Sequence, residues 1–154
     1  MDKTDYAWQI RNAVYSDIQF ADTKAGFITG LATLGVALLK DLPPHLPGWK
    51  ITLVIVAGLL LLGAIVTSVL SVRPRSARNP KGTIFWGHIA AHPDFTAYKQ
   101  ALEKSDSFQE VAEQAYAISR ITRQKYALIA YATNFLFLGL VFLWISLLWT
   151  GLGS

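Results

Sequence analysis

Two stretches of this chain, Ile51–Val72 and Ala127–Trp149, run for 22 and 23 residues without a charged side chain. At about 1.5 Å of rise per residue, either one crosses a hydrocarbon core of roughly 30 Å as a helix. A third stretch, Ala25–Leu39, offers 15 apolar or small residues. Its bounding lysines, Lys24 and Lys40, extend its reach, because their ammonium groups snorkel to the interfaces. The pattern predicts an all-α integral membrane protein with three transmembrane helices. What remains for water is a small helical domain, built from the N-terminal helix and the segment between the second and third spans.

The distribution of charge orients these spans. Twelve of the 14 Lys and Arg residues fall before the first span or between the second and third. Only Lys40 and Lys50 lie in the loop between the first two. Cytoplasmic loops carry the excess of Lys and Arg, so the N-terminus is placed inside and the C-terminus outside. The expected order is a cytoplasmic amphipathic helix (1–24), a first span (25–39), an external loop (40–50) and a second span (51–72). A cytoplasmic segment (73–126), a third span (127–149) and an external tail (150–154) complete it. The first 24 residues lack the apolar run of a signal peptide, so the N-terminus is expected to remain attached.

Helical spacing continues on the water side. Ala7, Ile10, Val14, Ile18, Ala21 and Ala25 recur at threes and fours, and no proline interrupts Thr4–Leu39, which predicts one long helix. Pro93-Asp94 opens a short helix ending near Lys104. Ser107-Phe108-Gln109-Glu110 has the form of a capping box, and from Phe108 nothing breaks the helix before Gly139 in the third span. Both long helices therefore run from water into lipid. Pro43, Pro44, Pro47 and Gly48 make the external turn.

Several kinds of chemistry are excluded. The chain has no cysteine, so it has no disulfide, thiolate zinc site or thiol nucleophile. It carries no glycine-rich phosphate loop, and no carboxylate or serine is placed for catalysis. We expect no enzyme, no cofactor and no metal. His88 and His92 have an i,i+4 spacing that suits zinc, but no intervening Glu and no cysteine accompany them.

Four groups stand out as candidates for binding or assembly. Gly26 and Gly30 form a GxxxG pair, which lets helix backbones approach closely in lipid, within the chain or between copies. Arg73, Arg75, Arg78 and Lys81 form one cationic group, and Arg120, Arg123 and Lys125 another. Such groups contact headgroups and set topology. Arg120 and Arg123, three apart on a helix, also suit a single phosphate. Asp22 and Lys24 sit where the first helix meets lipid, and the carboxylate there needs a partner, expected to be an arginine of the neighbouring helix.

Four short strings, in this order, carry a resemblance: Ala21-Asp22-Thr23-Lys24-Ala25-Gly26-Phe27, Arg73-Pro74-Arg75, Ile84-Phe85-Trp86-Gly87-His88-Ile89-Ala90 and Ile118-Ser119-Arg120-Ile121-Thr122-Arg123-Gln124-Lys125-Tyr126. Together they resemble the transmembrane effectors of Pycsar anti-phage defence, over about Ile10 to Trp149. The resemblance implies a membrane effector at a bacterial inner membrane. It would bind a cyclic pyrimidine mononucleotide (cyclic UMP or cyclic CMP) made by a partner cyclase, then disrupt the membrane in abortive infection. Its partners would be the bilayer, this nucleotide and further copies of the chain, with no nucleic acid polymer.

Residues suited to such a ligand are Arg120 and Arg123 for the phosphate, then Arg75, with His88 as a hydrogen-bonding group. Phe85, Trp86, Tyr98 or Tyr116 would stack on the base. Asp22 and Lys24 are carried over as motif positions, and Gly26 and Gly30 as the packing surface. The competing expectation is a non-toxic scaffold or accessory subunit whose basic segment docks an acidic partner or anionic lipid.

Overall fold

The computed structural model describes residues 2–42, 45–74 and 82–148, the side chains of Trp86 and Leu148 aside. Among the described residues every regular element is helical. Helix α1 (Lys3–Leu38) has 36 residues and closes in a 3-10 turn at Leu39–Asp41. Helix α2 (Gly48–Val72) has 25 residues, α3 (Trp86–Ile89) is a single turn, and α4 (Phe95–Lys104) has 10. Helix α5 (Ser107–Leu148) extends over 42. The chain forms two compact units: Met1–Gln19 with Pro74–Arg123, and Phe20–Arg73 with Gln124–Ser154. Helices α1 and α5 contribute to both.

The helix starts follow from local chemistry, with two departures from expectation. Asp94 caps α4 by accepting from the Ala97 amide at 2.8 Å. The cap of α5 is Asp106 rather than a box closed by Ser107 and Glu110. One Asp106 oxygen accepts from the amides of Phe108 (3.0 Å) and Gln109 (3.2 Å). A carboxylate outcompetes a hydroxyl here because it faces two unpaired amides at the positive end of the helix. Glu110 is thereby released for another task. Helix α2 begins three residues earlier than its apolar run, because the Pro47 carbonyl accepts from the amides of Lys50 (2.9 Å) and Ile51 (3.2 Å). Lys50 therefore sits in the first turn, buried, with its ammonium 5.4 Å from the Trp49 ring, and not in the loop.

The second unit is packed with small residues inside and large ones outside. Its core joins Ala21, Ala25, Ile28 and Ala32 of α1 to Leu61 and Ala64 of α2 and to Ile129, Ala132 and Leu136 of α5. Bulky apolar side chains point away from it, with Phe27 68% and Phe137 66% exposed. That arrangement is the reverse of a water-soluble bundle, where such a surface would mark a binding site or drive aggregation. Helices α2 and α5 are long and apolar enough to cross a membrane, with mean hydropathies of 2.8 and 2.1 over their most apolar windows. Only 22% and 28% of those windows are buried in the protein, so these are not the covered core helices of a soluble domain. This is a membrane protein. The apolar end of α1 is shorter and does not reach that length and apolarity.

Several hydroxyl groups in this unit turn back on their own helices, which satisfies them without water, while Ser71 Oγ is buried with no partner among the described residues. Thr29 donates to the Ala25 carbonyl (2.9 Å), Ser68 to that of Ala64 (2.7 Å) and Thr133 to that of Ile129 (2.8 Å). Close approach comes from Gly35 and Gly139, which flank Leu61. A Cβ on Gly139 would lie 2.9 Å from Leu61 Cγ and 3.3 Å from Leu60 Cβ. Gly139→Val is expected to cost about 1–3 kcal/mol through overpacking, seen as a lower Tm in detergent. Gly30→Ala, whose Cβ meets nothing within 4 Å, is expected to leave the Tm of the protomer unchanged.

Candidate functional site

In the first unit a buried threonine organises the segment after α2. The Thr83 amide and hydroxyl both donate to Glu110 Oε2, at 2.7 and 2.6 Å, and its carbonyl accepts from the Tyr98 hydroxyl at 3.1 Å. Glu110 holds this segment because Asp106 has taken over capping. The His88 ring lies against Gly82, leaving no room for a Cβ there. Phe85 meets His88 edge-on at 5.3 Å, and His92 packs 5.5 Å from Tyr98. Helix α3 ends at Ile89, so His88 and His92 do not share a helix. The Nε2 atom of His88 is buried without a hydrogen-bond partner among the described residues.

The same unit contains an apolar groove of about 350 Å³ between α1 and α5. It exists because Ala7, Ala112 and Ala115 are too small to fill the space between the two helices. Tyr6 and Ile10 border it from α1, Phe108 and Tyr116 from α5, and Ser119 lies at one end. Arg120 follows Tyr116, and Arg123 follows Ser119, by four residues, so each shares a helix face with a groove residue. Both arginines are exposed and neither bonds to another described residue. Together these features offer a flat apolar slot with cations one turn away, a chemistry suited to an anion with an aromatic body. On α1, Arg11 lies 5.5 Å from the Trp8 ring and 5.4 Å from that of Tyr15.

In the second unit Lys125 donates to Asp22. The partner of Asp22 is thus a lysine of α5 and not an arginine. Arg123 stands two residues from Lys125, hence on the opposite side of the helix, and a lysine stem tolerates burial among apolar neighbours. The Lys125 side chain is only 7% exposed, against 36% for Asp22. Lys24 points outward, with its ammonium 4.4 Å from the Phe20 ring and 5.5 Å from that of Tyr126. Gly26 and Gly30 face open space. Intramolecular packing uses the neighbouring face, Ala21, Ala25, Ile28 and Ala32, instead.

Over residues 6–151 the chain matches the family model of the Pycsar effector protein domain. It belongs to that family. No curated protein and no solved structure matches it. Membership makes the chain a Pycsar effector, a membrane effector in anti-phage defence.

The candidate residues of this Pycsar effector divide between the two units. Arg120, Arg123, His88 and Phe85 lie in the first, and Asp22, Lys24, Gly26 and Gly30 in the second. Trp86 opens α3, while Arg75, Arg78 and Lys81 lie outside the described residues. Tyr6 and Glu110 were not legible as site residues. An aromatic near the N-terminus carries no motif, and Glu110 was absorbed by the capping pattern.

Two expectations follow for stability in detergent. Asp22→Ala strands a buried ammonium and is expected to cost about 3–5 kcal/mol. Lys125→Met leaves the more exposed partner and is expected to cost less. The double variant should fall well short of the sum in a thermal double-mutant cycle. Glu110→Ala removes a charged acceptor from two Thr83 donors and is expected to cost about 1.5–3 kcal/mol, with Glu110→Gln milder in the same assay.

Proposed function

We propose that this Pycsar effector is a ligand-gated membrane toxin. A cyclic mononucleotide from a partner cyclase, cyclic UMP or cyclic CMP, binds the first unit on the cytoplasmic face of the bacterial inner membrane. The spans then rearrange, the membrane is breached, and the infected cell dies before phage matures. The observation that carries this reading is the pair of exposed guanidiniums, Arg120 and Arg123, without a partner among the described residues and beside a tyrosine-walled groove in a member of this family. A cyclic mononucleotide presents the matching features: one phosphate charge, a compact sugar and a flat base. The arginines take the phosphate, and Tyr6 and Tyr116 flank the base.

The remaining candidates have supporting roles in this reading. Arg75, outside the described residues, is kept as a further cation for the phosphate. Phe85, Trp86 and His88 shape the segment that answers the ligand, and the buried Nε2 of His88 is a donor or acceptor awaiting one. Asp22 and Lys24 set the register of α1 on α5 at the membrane boundary. The apolar end of α1 crosses the membrane as a third span, N-terminus inside, because it shares a core with α2 and α5 while exposing Phe27, Leu34 and Leu38. Gly26 and Gly30, open in the protomer, leave a face for self-association.

The test is thermal stabilisation of the detergent-purified protein by cyclic UMP, cyclic CMP and other cyclic nucleotides, with linear UMP and CMP as controls. A ligand bound to the folded state raises the Tm with dose. One cyclic nucleotide is expected to do so selectively and to release dye from vesicles carrying the protein. Arg120→Ala is expected to remove both effects with the unliganded Tm unchanged, since this exposed side chain bonds to no described residue. No stabilisation by any nucleotide, in folded protein, would leave the scaffold reading in its place.

A further inference from the structure

Asn134 is the one amide in the apolar stretch Ala127–Trp149, and it is placed where a lipid-facing residue should not be polar. It is exposed and makes no hydrogen bond to another described residue. Its neighbours two positions away, Ala132 and Leu136, are both buried. Asn134 therefore points away from the core of its own unit. Counted from Ala127, seven residues of helix place it roughly 11 Å into the apolar stretch. An amide at that depth without a partner is strongly disfavoured, and polar side chains in such positions bond across helices.

The surroundings of Asn134 on α5 say what supplies the partner. Ala127, Tyr131, Asn134, Leu138, Val141 and Ile145 follow one another at spacings of four and three. That is the heptad repeat of a parallel helix pair, with a single polar residue at a seam position, the device that fixes register and copy number. This seam is largely open in the protomer: Tyr131 is 61%, Leu138 44% and Ile145 38% exposed, with Val141 half-buried. Copies inserted by the same route share one orientation, so their symmetry axis runs along the membrane normal and equal residues meet at equal depth. An amide is both donor and acceptor, so Asn134 satisfies Asn134.

We infer that α5 carries a self-association seam, on which a second copy of the chain packs α5 against α5 with the Asn134 amides paired across the interface. The inference rests on the membrane placement and self-association proposed above, and it names the surface. That surface is distinct from Gly26 and Gly30 on α1, so the two make different predictions.

The natural absence of cysteine makes the test direct. Leu138→Cys and, as a collision control, the exposed Val66→Cys on α2 are oxidised separately in native membranes of the full chain. Leu138→Cys is expected to form a disulfide-linked dimer at least about tenfold faster. Adding Asn134→Leu to Leu138→Cys should abolish that advantage and weaken association in detergent by roughly tenfold, whereas Asn134→Gln retains both. Asn134 is exposed and makes no hydrogen bond to another described residue, so the Tm of the dissociated protein should change little. Cross-linking of Leu138→Cys no faster than that of Val66→Cys, in protein that is oligomeric by size, overturns the seam and leaves the glycine face. Rapid cross-linking that survives Asn134→Leu overturns the role of the amide. Protein that is monomeric at every concentration overturns the seam and self-association together.

Discussion

Lipid gives an apolar side chain nothing for leaving it, so helices that cross it, as α2 and α5 are long and apolar enough to do, must hold together by close approach. That constraint explains the choice of residues. Ala21, Ala25 and Ala32 bring α1 near α2 and α5, and Leu61 sits where Gly35 and Gly139 leave space for it. Larger residues at these positions would separate the backbones and lose the dispersion contacts that replace the hydrophobic effect. Phe27, Phe137 and Trp144 go outward because outward costs them nothing. The hydroxyls of Ser68 and Thr133 bond to their own helices, which satisfies them where no water is available. Buried charge is admitted with a partner, Lys125 for Asp22, whereas the exposed amide of Asn134 has none among the described residues.

The first unit works under the opposite condition. Among its described residues, Val111 is the one sizeable, fully buried side chain. A unit of this size is marginal without directed bonds. Thr83 supplies them: two donors into Glu110, and an acceptor for Tyr98, join the segment after α2 to α4 and α5. Between α1 and α5 the small side chains Ala7, Ala112 and Ala115 leave a groove. A unit with an unfilled seam and little core gains stability from whatever fills that seam, which is the thermodynamic requirement for a sensor.

Much of the helical architecture was legible because it depends on periodicity and punctuation. The unbroken run to Leu39 and the cap at Asp94 give α1 and α4 almost to the residue. The misreadings have specific causes. The capping-box pattern at Ser107–Glu110 concealed Asp106, one residue upstream and a stronger acceptor for the same amides, and so concealed the bond from Thr83 to Glu110. Arginine is the favoured ion-pair partner in general, but here helical phase decides, and phase turns Lys125 toward Asp22. The groove was not legible at all. It depends on residues such as Tyr6 and Phe108, which are a hundred positions apart and belong to no shared pattern.

Helical phase also separates cations that composition treats alike. Lys125 and Arg123 are two residues apart, yet one is buried in an ion pair and the other is exposed with no partner among the described residues. A surface that only attracted anionic lipid would need charge, and any of the twelve Lys and Arg residues outside the loop between the first two apolar stretches would serve it equally. Recognition of a single small anion needs position instead: guanidiniums a turn apart, and an apolar body-sized space beside them. The distinction makes the cations unequal in a way that can be measured residue by residue. Lys125 belongs with the forces that build the bundle, which leaves the exposed Arg120 and Arg123 for the proposed ligand.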